Sequence, residues 1–154
     1  MLRFLILLAG VWGFGAQAEM APRAGWAVID SDKSYTELID DVKAAAKSNK
    51  MGVVTQAGPT GAAKNRGITI PGNRVIGLFN NVFAVRILNL STPAMIEAPI
   101  RVYVTENSDG SATLSYKTPS FVFAPYVEEA GPDLALAAQE LDAIFQAIAQ
   151  AAAR

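Results

Sequence analysis

Apolar and polar positions alternate twice between Pro99 and Tyr116, and the rest of the chain is organised around this doublet. Ile100, Val102 and Val104 alternate with Arg101, Tyr103 and Thr105, and Ala112, Leu114 and Tyr116 alternate with Thr113, Ser115 and Lys117. A period of two is that of a strand with one buried face. Asn107-Ser108-Asp109-Gly110 lies between the arms, and Asp and Gly tolerate the positive φ angles of a tight turn, so the arms pair as an antiparallel hairpin. Ile100, Val102 and Val104 are expected to face covering helices. Arg101, Tyr103 and Thr105 then occupy the side on which function is sought.

Two stretches carry the helical period instead. Leu38, Ile39, Val42, Ala45 and Ala46 recur at three- and four-residue spacing after Ser34-Tyr35-Thr36-Glu37, whose Ser and Glu have the spacing of a capping box. This helix is expected to stop near Ser48 or Asn49, with Gly52 close behind as a breaker. The longest helix opens at Gly131-Pro132-Asp133 and carries a stripe of Leu134, Ala137, Ala138, Leu141, Ile144, Phe145 and Ile148. Such a stripe has to be buried, and the hairpin sheet is its natural partner.

Shorter signals fill the remainder. Gly25 to Asp30 reads as a strand stopped by Ser31-Asp32-Lys33, Met51 to Thr55 as a second strand, and Arg74 to Phe79 as another. Ile68 to Ile70 reads as a short strand ended by Pro71-Gly72. Val82 to Leu90 reads as a further strand or a short helix, separated from its predecessor by Asn80-Asn81. Ser91 to Glu97 offers a cap followed by proline, hence a short helix. Ser120 to Phe123, bounded by prolines, suits an edge strand or a segment laid across one. The glycine-rich run from Gly58 to Gly67 is a loop or short helical turn. It is no phosphate loop, because the spacing of Gly58, Gly61 and Lys64 departs from the Walker pattern.

The N-terminus is read apart from the fold. Arg3, the apolar run Phe4 to Phe14, and Ala16-Gln17-Ala18 match the three regions of a secretory signal. The run is shorter than the roughly 20 residues that span a bilayer. Residues 1–18 are therefore expected to be cleaved after Ala18, leaving a leader over 19–24, one α+β domain over 25–154, no stable membrane span, and a periplasmic or secreted product.

Composition narrows the chemistry. The chain has 154 residues, no cysteine and no histidine, which removes thiol catalysis, Cys or His metal sites and histidine general-base chemistry by inventory. A formal net charge of -1 argues against general nucleic-acid affinity. The charge is nevertheless uneven: no Asp or Glu occurs from Val42 to Ile96, while Lys43, Lys47, Lys50, Lys64, Arg66, Arg74 and Arg86 all fall there. Arg74, Arg86 and Arg101, with Tyr103, Lys64 and Arg66, are the candidates for binding a small anion. Asp30 and Asp32 are better explained by strand termination than by a metal. Glu97 with Glu106 is the one conceivable carboxylate pair for hydrolysis. Met20, Met51 and Met95 could ligate Cu(I), although methionine more often fills cores. No cofactor and no metal site is expected.

Three stretches carry a family resemblance: GWAVIDSDKSYTELIDDVKAAAKSNKMGVV, GAAKNRGITIPGNRVIGLFNN and APIRVYVTENSDGSATLSYKTP. From Gly25 onward the chain resembles the family catalogued as domain of unknown function 302, with Asn80-Asn81 standing for its Asn-Pro pair and Ala98-Pro99 for its Leu-Pro. The resemblance implies a β-α-β4-α arrangement similar to the TATA-binding-protein-like fold, often paired as dimers. The expected class is α+β, an antiparallel sheet of four to five strands with two main helices on one face. Many members carry an Asp-His pair where this chain has Gln56 to Pro59, so any site built on that pair is absent or changed. A fold shared with a DNA binder carries no function with it.

The resulting expectation is a secreted binding or interaction module for a small anionic ligand, or for an envelope protein. An envelope metal or redox accessory protein, and a hydrolase using carboxylates without histidine, are the alternatives.

Overall fold

The computed structural model describes residues 20–154. The signal expected over 1–18, and Glu19 after it, lie outside the described residues. In chain order the elements are β1 (Trp26–Ser34), α1 (Tyr35–Ser48), β2 (Gly52–Ala57), α2 (Thr60–Asn65), β3 (Asn73–Phe79) and α3 (Asn81–Leu90). A 3₁₀ turn at Pro93–Glu97 leads into β4 (Ile100–Glu106) and β5 (Ser111–Lys117). Then come α4 (Pro119–Phe123), a second 3₁₀ turn at Ala124–Tyr126, α5 (Val127–Ala130) and α6 (Pro132–Ala153). Without the short helices this is the β-α-β4-α order.

The strands form one antiparallel sheet in the order β1-β5-β4-β3-β2. Its two faces differ completely. On one, Ile76, Leu78, Val102, Val104 and Leu114 are at most 1% exposed, beneath α1 and α6, which also pack on each other. Leu38 and Val42 of α1 and Leu134, Leu141, Phe145 and Ile148 of α6 complete this core. The alanine-rich end of α6 belongs to it, since Ala149 and Ala152 are buried: small side chains let the helix approach α1 closely. The other face carries no helix along most of its width.

The cap of α1 forms as its spacing predicts. Ser34 Oγ accepts from the Glu37 amide, and Glu37 Oε2 accepts from the Ser34 amide at 3.0 Å. The Ser34 hydroxyl also donates to Glu37 Oε2 at 2.6 Å, and this bond first, with that from the Ser34 amide, holds the Glu37 carboxyl below its ordinary pKa. Its contribution is complete above the ordinary carboxylate range and is lost as pH falls through that lowered value. Ser34→Ala should cost about 1 kcal/mol, read as a lower midpoint in urea at neutral pH, and the difference from the native chain should narrow on acidification.

Two expectations fail, the stop of β1 and the strand at Ile68 to Ile70, and two stretches left open are decided, each through partners distant in sequence or a cap. Ser31-Asp32-Lys33 does not stop β1. Ser31 Oγ donates to the Ala153 carbonyl at 2.9 Å, and Lys33 Nζ donates to the Ala152 carbonyl at 2.8 Å. These polar residues satisfy the open carbonyl end of α6, so β1 runs on to Ser34 through a register shift. Residues 81–90 are helix and not strand, because Asn80 Oδ1 accepts from the amides of Val82 and Phe83 at 2.9 and 3.2 Å. Ser120 to Phe123 belongs to α4, with Thr118 as cap and Pro119 at its first turn, and the Ser120 amide donates to Asp142 of α6. Ile68 to Ile70 forms no strand. After α2 the Ile68 amide bonds back to the Ala63 carbonyl, which ties this stretch to the helix and away from the sheet edge.

Candidate functional site

Strand register defines the helix-free face row by row. Val28 lies opposite Ser115, Ser115 opposite Tyr103, Tyr103 opposite Val75, and Val75 opposite Ala57, so one residue from each strand forms a line across the sheet. Trp26 and Lys117 stand opposite each other in the next row, as do Arg101 and Gly77. Beside this floor α4, which packs on α6, and the 3₁₀ turn after it form a wall, contributing Phe121, Val122, Ala124 and Pro125. The wall is fastened at its start, where the Thr118 amide donates to the Gly25 carbonyl at 2.9 Å. Gly25 has φ 75°, and a Cβ there would lie 2.1 Å from the Phe121 ring, so the close approach of leader and wall requires glycine.

Floor and wall enclose a cavity of about 900 Å³, a size typical of small-molecule sites. Its lining is mainly apolar and aromatic, with Trp26, Val75, Tyr103 and Phe121 as the large surfaces and Arg101 and Lys117 as the cations. Arg23 lies over the Trp26 ring at 5.1 Å, and Lys117 Nζ at 5.8 Å from the same centroid. Among the described residues none of these three cations is held in an ion pair. Glu97 supplies the carboxylate of the lining. It accepts from Tyr126 Oη at 2.8 Å, and that bond pushes the Tyr126 phenol above its ordinary pKa.

The six residues expected to form an anion site do not converge. Arg101 and Tyr103 line the cavity. Arg74 pairs with Val104, in the row parity of Ile76 and Leu78, and so belongs to the helix-covered face, where its Nε is buried without a partner. Arg86 is on α3 and donates to Glu140 of α6 at 2.7 Å. Lys64 and Arg66 are exposed on α2 and its end, outside the lining. Glu97 and Glu106 are also separated: Glu106 pairs with buried Ala112 and accepts from the Gly72 amide. Asp30 accepts from Thr113 Oγ1 at 2.9 Å while Asp32 is exposed, and among the described residues no group of three or more acidic side chains could hold a metal ion. Met51 is buried in the core and Met95 packs against it.

Trp26, Ser115, Lys117 and Phe121 were not among those candidates. The alternation of β5 already sets Ser115 and Lys117 on the face of Arg101 and Tyr103, provided the two strands pair in register. Trp26 gave no such signal, because β1 joins β5 across about ninety residues of chain.

A comparison with curated proteins finds no match. Among solved structures, the chain is similar to the crystal structure of an uncharacterized conserved protein DUF302 from Bacillus stearothermophilus, with a TM-score of 0.75 and 17% identity over 86% of this chain and 100% of the other. At that identity the likeness concerns the fold. The family model described as domain of unknown function DUF302 matches residues 28–152, a span from β1 to the last turn of α6, and the chain therefore belongs to the DUF302 family.

Proposed function

We propose that the cavity on the helix-free face binds an amphipathic organic anion. A flat apolar body would lie against Trp26, Val75, Tyr103 and Phe121, and a carboxylate or similar head would meet Arg101 and Lys117. The observation that carries this reading is the coincidence, in one concavity of about 900 Å³, of an apolar lining and cations free of ion pairs among the described residues. A bare inorganic anion would leave the apolar walls wet, and a neutral hydrocarbon would leave the cations unused. With residues 1–18 removed after Ala18, the ligand would be one met in the periplasm or outside the cell.

A thermal-shift series separates these cases. Aromatic carboxylates should raise the melting temperature by roughly 10 °C at a hundredfold excess over Kd, while inorganic phosphate and the corresponding neutral amides should leave it unmoved. An unchanged melting point with every carboxylate, together with elution alongside a second copy or another protein, would set the small-ligand reading aside.

A further inference from the structure

We propose that Ser115 is the specificity-determining contact of this cavity, and that the ligand carries a hydroxyl or carbonyl group about one aromatic ring's length from its anionic head. The inference rests on the binding reading above. Ser115 lines the cavity floor between Val28 and Tyr103 and is 1% exposed, yet its Oγ has no hydrogen-bond partner. Thr113, the preceding residue on the same face of β5, is 2% exposed. Its hydroxyl is within hydrogen-bond distance of Asp30 and Asn107, at 2.9 and 3.1 Å. The fold thus provides partners for one buried hydroxyl of the strand and none for the other.

An unmet buried hydroxyl is destabilising, and alanine would fill the same place without that cost. A partner supplied from outside the chain accounts for a serine here. Position then defines the ligand. Lys117 is two residues along the strand from Ser115, and Arg101 two residues from Tyr103, which faces Ser115. The backbone positions of both cations therefore lie on one side of Ser115, offset by about 6.6 Å along the strands. The ligand class is an aromatic or similarly rigid acid with a hydrogen-bonding group at the far end from its carboxylate. The Oγ is closed to solvent in this state, so the ligand's polar end has to part the side chains above it.

The test is calorimetric titration of the intact protein with para-hydroxybenzoate and para-methylbenzoate, which match in shape and differ in the hydrogen-bonding group. The native chain should prefer the hydroxy acid by about tenfold. Ser115→Ala should abolish that preference and leave the affinity for the methyl acid within about twofold, with a melting temperature equal to or above the native one, since the variant removes an unmet hydroxyl. Tyr103→Phe should keep the preference. Equal binding of both acids by the native chain, a preference that survives Ser115→Ala, or one lost in Tyr103→Phe alone overturns the assignment to Ser115 while the binding reading stands. Binding of neither acid overturns both.

Discussion

Reversing both cations of the cavity, Arg101→Glu with Lys117→Glu, is expected to weaken the binding of an aromatic carboxylate by about a hundredfold or more. Each charge-assisted hydrogen bond to a carboxylate contributes roughly 1.5 kcal/mol or more, about tenfold in Kd, and the new carboxylates add repulsion to the loss. Both side chains are exposed and neither is in an ion pair among the described residues, so the melting temperature without ligand should change little. Screening makes part of the effect salt-dependent. Titration at low and at physiological ionic strength should therefore show a larger ratio at low salt. The matched control is Lys64→Glu with Arg66→Glu, the same change in net charge on α2 and outside the cavity lining. It should leave the affinity within about threefold at physiological salt. Equal losses in the two double variants would assign the effect to the overall field of the protein and remove Arg101 and Lys117 from the site.

Phe145→Ala should be among the most damaging single truncations of the core, costing about 3–5 kcal/mol. Phe145 is 1% exposed and its ring lies 5.6 Å from that of Tyr116, where it joins α6 to β5. It also lines a small open pocket of about 30 Å³ with Leu78, Ile87 and Ile100, so truncation adds to a gap that its neighbours close only in part. The loss is a large share of the roughly 5–15 kcal/mol that stabilises a domain. A fall of roughly 15 °C in melting temperature is expected, with the urea midpoint lowered in step. Leu136→Ala on the outer side of the same helix, where the side chain is 51% exposed, should stay within about 0.5 kcal/mol. A loss at Leu136 as large as at Phe145 would contradict the placement of the α6 stripe against the sheet.

How far the candidate site could be read from the chain is clearest at Arg74 and Arg101. Both were expected near strands, and both are on adjacent strands of the sheet. The alternation in β4 is clean, with Ile100, Val102 and Val104 inward, so Arg101 and Tyr103 could be assigned to the functional face directly. β3 reads RVIGLF, apolar at nearly every position, and such a run has no parity to read. Only pairing with β4, which sets Arg74 against Val104 and Gly77 against Arg101, shows that the two arginines point to opposite faces. Arg86 was lost in a different way: its stretch is apolar enough for strand or helix, and the Asn80 cap decided for helix.

The hairpin, the capping box of α1 and the apolar stripes of α1 and α6 were determined by the sequence alone. Each depends on residues within a few positions of one another, where side-chain period and backbone capping act without reference to the rest of the fold. The course of β1 beyond Ser31, the packing of α4 on α6 at the cavity's edge and the meeting of Trp26, Tyr103, Ser115 and Lys117 were decided by tertiary structure. The physical reason is that these depend on strand order, register and the partners of unpaired polar groups, which lie between about 12 and 120 residues apart in the chain. The cavity is such a product: its lining is drawn from segments between Trp26 and Pro125, and no local pattern contains it.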